Sequence, residues 1–352
     1  MDQLRVGVIG LGRVALLLES DPYRASPATH LGAWRERGDC DVVAGCDPDK
    51  ERRAHFLSEF PSARCYESYQ QMLAHESLDL VSVCGYATDR ADMVEACCGA
   101  GVRGIWCEKA VACSVAEIDR MQVALERSGT ELIVSFMRRW DPRYQCVAQM
   151  LQEGAIGRVE TISATFSGNL IHTGTHAFDV MEMVCGPVVA VQGWLDEGDG
   201  HNQQSGYKFD RSANIRDVGG FATLYFENGV RGVVNGSAKR YFIFEFEIIG
   251  SEGLIRIGNQ QTVLWTLSER ELYQGIKGIF PSEFPAVKGA NPWSSAADNL
   301  VGAVRNSTSV DCGIDAGRRS LQVALALHES QAQDHGLVEL CEVSPESYVP
   351  SR

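Results

Sequence analysis

The chain has 352 residues, 45% hydrophobic and 22% charged, the balance of a folded globular protein and not of a disordered one. Its formal net charge of −14 opposes phosphate backbones and anionic membranes, so nucleic acid and membrane surfaces are not expected as partners. At ~100–200 residues per domain the length favours two domains.

No run approaches the ~18 consecutive apolar residues of a membrane span. Residues 1–20 pass straight into a strand-like segment with no basic leader region, so a soluble, cytoplasmic protein is expected. The twelve cysteines include no C-x-x-C pair and no Cys/His spacing of a zinc site, and many sit in apolar runs such as Cys46 in VVAGCD and Cys107 in GIWCEK. They read as buried, reduced thiols, and no metal is expected.

In chain order, β-branched apolar runs predict strands over Leu4–Ile9, Val42–Cys46, Leu78–Cys84, Gly104–Cys107 and Glu131–Phe136. Helical patterns fall between them at His30–Arg37, Asp49–Phe60, Tyr69–His75, Asp89–Ala100 and Val115–Ser128, the last opened by the capping box Ser114-x-x-Glu117. Apolar strands alternating with helices imply a parallel sheet covered on both faces. After about residue 135 the rhythm changes. A strand-like RVETISATFSG precedes a short helix at His176–Val184, and then come several runs of period two, with turns expected at Asn228-Gly229 and Glu252-Gly253. Glu197–Arg216 is polar and Gly-rich and predicts a long surface loop; helices are predicted at Ala296–Arg305 and Asp315–His335. The expected architecture is α/β: a dinucleotide-binding domain of Rossmann type over residues 1–135, and an α+β domain with a large, mostly antiparallel sheet over 136–352, its last helices packing back.

Three motifs carry chemistry. The first is Gly10-Leu11-Gly12-Arg13-Val14-Ala15 directly after the first strand. Gly10 permits the turn, Gly12 lets backbone approach a pyrophosphate, and Ala15 allows close helix packing, which makes residues 10–14 the candidate cofactor cradle. Asp47 ends the second predicted strand, where a carboxylate accepts from ribose hydroxyls and repels a 2′-phosphate. NAD is therefore expected in preference to NADP. The interval between Gly12 and Asp47 is longer than usual, because Pro22 and Pro27 break the first helix into an insertion. The second motif is Glu108-Lys109 at the end of the fifth strand, facing the ligand crevice of such sheets, where a lysine beside a cationic ring is suited to proton transfer; an ordinary exposed pair is the plainer reading. The third is His172-Thr173-Gly174-Thr175-His176-Ala177-Phe178-Asp179. Two histidines four apart fit a metal pair, a capped helix or an acid–base site; the absence of a glutamate between them and of a third ligand favours the acid–base site.

The order of these motifs, followed by an antiparallel sheet, resembles the Gfo/Idh/MocA family of NAD(P)-dependent oxidoreductases, the glucose–fructose oxidoreductase and inositol dehydrogenase type. The likeness extends through GAIGRV at 154–159 and IIGSEGLIRI at 248–257. It implies that Lys109 is the family's EKP lysine, with Ala110 in place of proline, and that His176 is the catalytic histidine, with Asp179 ending its signature. His172 stands where the family has aspartate, and Gly85-Tyr86 where it has Thr-Pro on the nicotinamide side. The stretch Phe136-Met137-Arg138-Arg139-Trp140-Asp141-Pro142 resembles one in inositol dehydrogenases, which would give Trp140 a sugar face to stack on and Arg138 and Arg139 hydroxyls to bind; interdomain ion pairs are the alternative for the arginines. The resemblance thus implies oxidation of a secondary hydroxyl on a sugar or cyclitol, with Lys109, His176 and His172 as the acid–base groups. It implies cofactor contacts from residues 10–14, Asp47, Gly85, Tyr86, Glu108 and Lys109, and substrate contacts from Arg138, Arg139, Trp140 and Asp179. A glycosidase working by transient oxidation needs the same residues, and a non-enzymatic nucleotide sensor shares the fold. A homodimer or homotetramer built on the C-terminal sheet is expected, with Ala222, Tyr225, Ile243 and Ile249 on the outer face.

Overall fold

A computed structural model describes residues 3–196, 217–238 and 241–351. The segment Glu197–Arg216, expected as a loop, lies outside them. The described residues divide into two compact units, one drawn from the chain up to Trp140 together with Ala290–Arg318, the other from Asp141–Gly289 and Arg319–Ser351.

The first unit is built on a six-stranded sheet. Its strands are β1 (Leu4–Ile9), β2 (Cys40–Cys46), β3 (Arg64–Tyr66), β4 (Leu80–Val83), β5 (Gly104–Cys107) and β6 (Glu131–Val134). They run in the order β3-β2-β1-β4-β5-β6 and every neighbouring pair is parallel. β4 and β5 are buried along their whole length, as strands covered by helices on both faces must be. The helices are α1 (His30–Glu36), α2 (Lys50–Glu59), α3 (Tyr69–His75), α4 (Ala87–Gly99) and α5 (Val115–Ser128). At α5 the predicted capping box forms: Ser114 Oγ accepts from Glu117 N–H, and Glu117 accepts from Cys113 N–H at 2.7 Å. β3, only three residues long, was not expected. Its Arg-Cys-Tyr carries no apolar run, and an edge strand paired on one side needs none.

The predicted interruption of the first helix has a specific form. After Gly12 the chain makes one helical turn, a short 3-10 segment at Leu17–Ser20, and an excursion to Thr29. His30 N–H then donates to Val14 O and Leu31 N–H to Ala15 O, each at 3.1 Å. Helix α1 thus resumes on the carbonyls of the turn it left. Glu19 holds the excursion closed, accepting from Ser26, Ala28 N–H and Thr29. Helix α8 (Pro292–Asn306) was expected in the C-terminal domain but belongs with the first unit: Trp293 packs on His30 and Trp106, and Arg305 pairs with Asp39 at 3.0 Å.

The second unit contains α6 (Pro142–Gln152), α7 (Thr175–Cys185), most of α9 (Ile314–Ala332) and a nine-stranded sheet. The strands are β7 (Val159–Ser167), β8 (Val188–Leu195), β9 (Gly220–Phe226), β10 (Arg231–Ala238), β11 (Phe244–Gly250), β12 (Gly253–Gly258), β13 (Thr262–Tyr273), β14 (Ile276–Ser282) and β15 (Val338–Glu339). Their order is β14-β13-β12-β11-β7-β10-β9-β8-β15, antiparallel throughout except for β7 with β10. The inner face carries Phe244, Phe246, Ile248, Ile255 and Leu224, all buried, beneath Tyr144 of α6 and Met181 of α7. Ala222 also lies on this face, buried, and not on the outer one as expected; it alternates in phase with Leu224 and Phe226. The second hairpin turns at Ser251-Glu252, one residue earlier than expected, with Gly253 already paired to Gly250. Among the described residues no helix is long and apolar enough to cross a membrane.

Candidate active site

The glycine loop lies between β1 and β4, where the strand order reverses; ligands of open parallel sheets bind at that point. Gly10 has φ +85°, and a Cβ there would lie 3.0 Å from the Cys84 carbonyl, so no other residue fits. At Gly12, by contrast, a Cβ would meet only the Arg52 guanidinium at 3.7 Å. That open front, together with the turn that follows, suits a pyrophosphate. Leu11 is fully buried, and its N–H donates to Asp47 Oδ2 at 2.8 Å. Asp47 Oδ1 accepts from Asp49 N–H at 2.9 Å, and Arg52 stands 3.5 Å from Oδ2. Asp47 is 3% exposed and ties the glycine loop to the end of β2. Arg13 is exposed and Val14 half-buried. Gly85 precedes the N-cap of α4, Tyr86, whose ring is exposed. These residues fit a dinucleotide.

At the end of β5, Glu108 and Lys109 part company. Lys109 is half-buried, and the Lys109–Ala110 peptide is cis. Glu108 turns inward at 5% exposure. Its Oε1 lies 3.0 Å from His30 Nε2 and its Oε2 accepts from Lys109 N–H at 3.2 Å. Both oxygens of Glu108 are thus engaged inside the unit. Burial pushes the Glu108 carboxyl up, but the His30 hydrogen bond and the nearby charges of His30, Lys109 and Arg90 together hold it below the usual carboxylate range. His30 was not singled out from the sequence. The signal there is a histidine opening a helix whose next four residues, Leu31 to Trp34, are uncharged and buried.

In the second unit the histidine motif forms one continuous helical run. A π-helical turn over Leu170–Gly174 passes directly into α7, with Gly174 N–H donating to Asn169 O at 2.9 Å. Such wide turns recur at functional sites. His172 and His176 thus lie about one turn apart, and both are half-buried. Gly174 is squeezed between Phe166 and Phe178, where a Cβ would come within 3.1–3.2 Å of the rings, and His176 meets the Phe244 ring edge-on. A residue the sequence did not reveal, Asp217, grips the start of this run: Oδ1 accepts from Ile171 N–H at 2.8 Å and Oδ2 from His172 N–H at 2.9 Å. It lies far along the chain, directly after a polar stretch, so no local pattern announces it.

The expected substrate residues divide. Arg138 and Arg139 are half-buried on a short 3-10 turn, Met137–Trp140. Trp140 is only 2% exposed and offers no open face to a sugar; the turn that exposes the two arginines carries it inward. Asp179 is buried on α7, close enough to raise the pKa of Glu182, which burial raises first. Among the described residues no group of three His, Cys, Asp or Glu is placed to hold a metal ion.

Comparison with known proteins agrees with this layout. The model for the oxidoreductase family with an NAD-binding Rossmann fold, GFO_IDH_MocA, matches residues 4–136, and the GFO/IDH/MocA C-terminal domain matches residues 144–256. A D-apiose dehydrogenase of Paraburkholderia graminis is 35% identical over 45% of this chain and 47% of its own length. A myo-inositol 2-dehydrogenase of Thermotoga maritima is 22% identical over 79% of this chain and 82% of its own. Among solved structures, the WlbA dehydrogenase of Bordetella pertussis, in complex with NADH and UDP-GlcNAcA, superposes with a TM-score of 0.74 at 19% identity, covering 96% of this chain and 98% of that one; at that identity the likeness is one of fold. With both domains matched in order along the sequence, the chain belongs to the Gfo/Idh/MocA family of NAD-binding oxidoreductases.

Proposed function

We propose that this protein oxidises a secondary hydroxyl of a sugar, cyclitol or sugar derivative with NAD, reversibly. The observation that carries the reading is the continuous turn holding His172 and His176, with Asp217 fixed to its backbone. The names of the sugar and inositol dehydrogenases it resembles support the substrate class and do not favour the glycosidase alternative. When bound, the nicotinamide accepts or returns the hydride. His176 takes the hydroxyl proton as the carbon is oxidised, the Lys109 ammonium stabilises the developing alkoxide or relays the proton, and His172 orients the hydroxyl or shares its proton. Asp47 and the loop over residues 10–14 would hold the dinucleotide, with Gly85 and Tyr86 contributing on its nicotinamide side. Arg138 and Arg139 supply hydrogen bonds to hydroxyls or a carboxylate. Lys109→Ala and His176→Ala should each lower turnover by about 10²–10⁴ with little change in NAD affinity; near-normal turnover in both removes these roles.

Assembly belongs to the same proposal. The outer face of the nine-stranded sheet exposes Trp194, Phe221, Val233, Ile249 and Trp265, interleaved with polar groups such as the Arg256–Glu247 ion pair. Exposed apolar groups on one face mark interfaces, and a homodimer or a dimer of dimers formed face to face would cover them. The twelve cysteines are thiols, most of them buried, which fits the reducing cytoplasm.

A further inference from the structure

The chain that follows β5 has no regular secondary structure, yet Ala110, Val111, Ala112 and Cys113 are all buried. Buried backbone outside helix and sheet needs other partners for its polar groups. The ladder with β4 closes at Glu108, whose N–H donates to the Val83 carbonyl at 2.9 Å. Beyond it, Cys113 N–H donates to Glu117 Oε2 at 2.7 Å, and the Ala110 carbonyl accepts from a guanidinium N–H of Arg90. Arg90 comes from the start of α4 and is only 4% exposed. The helix dipole opposes a cation at that end, and burial opposes one anywhere, so neither helix formation nor core packing accounts for an arginine here. Its Nε is buried without a partner, and the Ala110 carbonyl is its one hydrogen-bond acceptor among the described residues.

We propose that Arg90 is a positioning residue: through the Ala110 carbonyl it ties the turn that carries Lys109 to α4, and through α4 to the glycine loop. The inference rests on the reading of Lys109 as the alkoxide-stabilising group. The line of contacts is continuous. Met93, one turn along α4 from Arg90, packs on Gly85 so closely that a Cβ there would lie 2.6 Å from its methyl carbon. Gly10 in turn meets the backbone of Cys84 and Gly85, where a Cβ would come within 3.0 Å. The glycine loop, the start of α4 and the Lys109–Ala110 backbone thus form one body, with Arg90 as the joint to its last member. An apolar side chain of the same bulk would fill the space and leave the Ala110 carbonyl buried without this donor, which favours a shifted turn over the observed one.

The test begins with amide hydrogen exchange in the full-length protein, read by mass spectrometry, which needs no substrate. Arg90→Met keeps the bulk and removes every donor. It should speed exchange across Lys109–Cys113 by about tenfold or more and leave the β1 and β4 peptides unchanged, and Arg90→Lys, which keeps a donor, should return it towards wild type. Unchanged exchange across Lys109–Cys113 in Arg90→Met overturns the proposal; if that variant fails to fold, Arg90→Gln is read against Arg90→Lys in its place. Turnover is then measured on the polyol or sugar that reduces NAD fastest. Arg90→Met should lower kcat by about 10–100-fold, the scale of a misplaced catalytic group, with KM changed by less than about threefold. In a Lys109→Ala background the same substitution should cost nothing further, because both changes act through one side chain. A slow Lys109→Ala enzyme that Arg90→Met slows again by its full factor removes only the positioning role, whereas a fully active Lys109→Ala removes the catalytic reading of the lysine itself.

Discussion

The N–H of Leu11 and the carboxylate of Asp47 meet at 2.8 Å, joining the glycine loop after β1 to the end of β2. One side chain thereby shapes the loop proposed to hold the cofactor, and the same carboxylate is the charge proposed to discriminate against a 2′-phosphate.

Asp47→Ala should weaken NADH binding by about 10–100-fold, on the scale of one lost charge-assisted hydrogen bond. NADPH should lose less, because Arg52, now 3.5 Å from the carboxylate, would be released to meet a phosphate. Fluorescence titration of both nucleotides measures the ratio. A ratio unchanged from wild type contradicts this role.

Asp217 anchors the histidine turn through two backbone hydrogen bonds. Asp217→Ala should cost about 1–2 kcal/mol of stability, as the loss of a helix-capping carboxylate does, and should lower turnover at least tenfold by loosening His172 and His176. Thermal unfolding and steady-state rates measured together separate the two effects. Lost stability with unchanged turnover would confine Asp217 to the fold.

Burial on α9 lowers the His328 pKa to about 4. The folded state therefore favours the neutral ring, and the unfolded chain takes up its proton first. The stability this contributes is complete above the ordinary histidine pKa and is lost as pH falls from there towards 4. His328→Leu should flatten the fall in melting temperature across that window. An unaltered slope would place the acid sensitivity elsewhere.

Much of this architecture is legible in the sequence because it rests on local signals. The bounds of β1, β5, α3 and α5 coincide with those predicted, since apolar runs, caps and turn glycines lie within each segment. What the sequence conceals is set by distant partners. His30 gains its role only when β4 and β5 bring Ser82 and Glu108 beside it. Asp217 reaches a turn more than forty positions earlier. The inward turn of Trp140 follows from the 3-10 geometry at Met137–Trp140, which side-chain type does not reveal. Phe221 and Trp194, in tilted ring contact across β9 and β8 on the outer face, are legible only as period-two residues until the strand order fixes their side.

For assembly, light scattering at micromolar concentration should return a multiple of the chain mass. Replacing Phe221 and Trp265 by Glu on the outer face should return the monomer while leaving the inner core intact. A wild-type protein already monomeric would contradict pairing through this sheet.

The most direct measurement is a panel of polyols, aldoses, uronic acids and glycosides incubated with the protein and NAD, following reduced nicotinamide by its absorbance and the products by mass. The account predicts stoichiometric NAD reduction with at least one polyol or sugar, a product two hydrogens lighter, and loss of both signals in His176→Ala. Glycoside cleavage at catalytic NAD with no net reduction would contradict it.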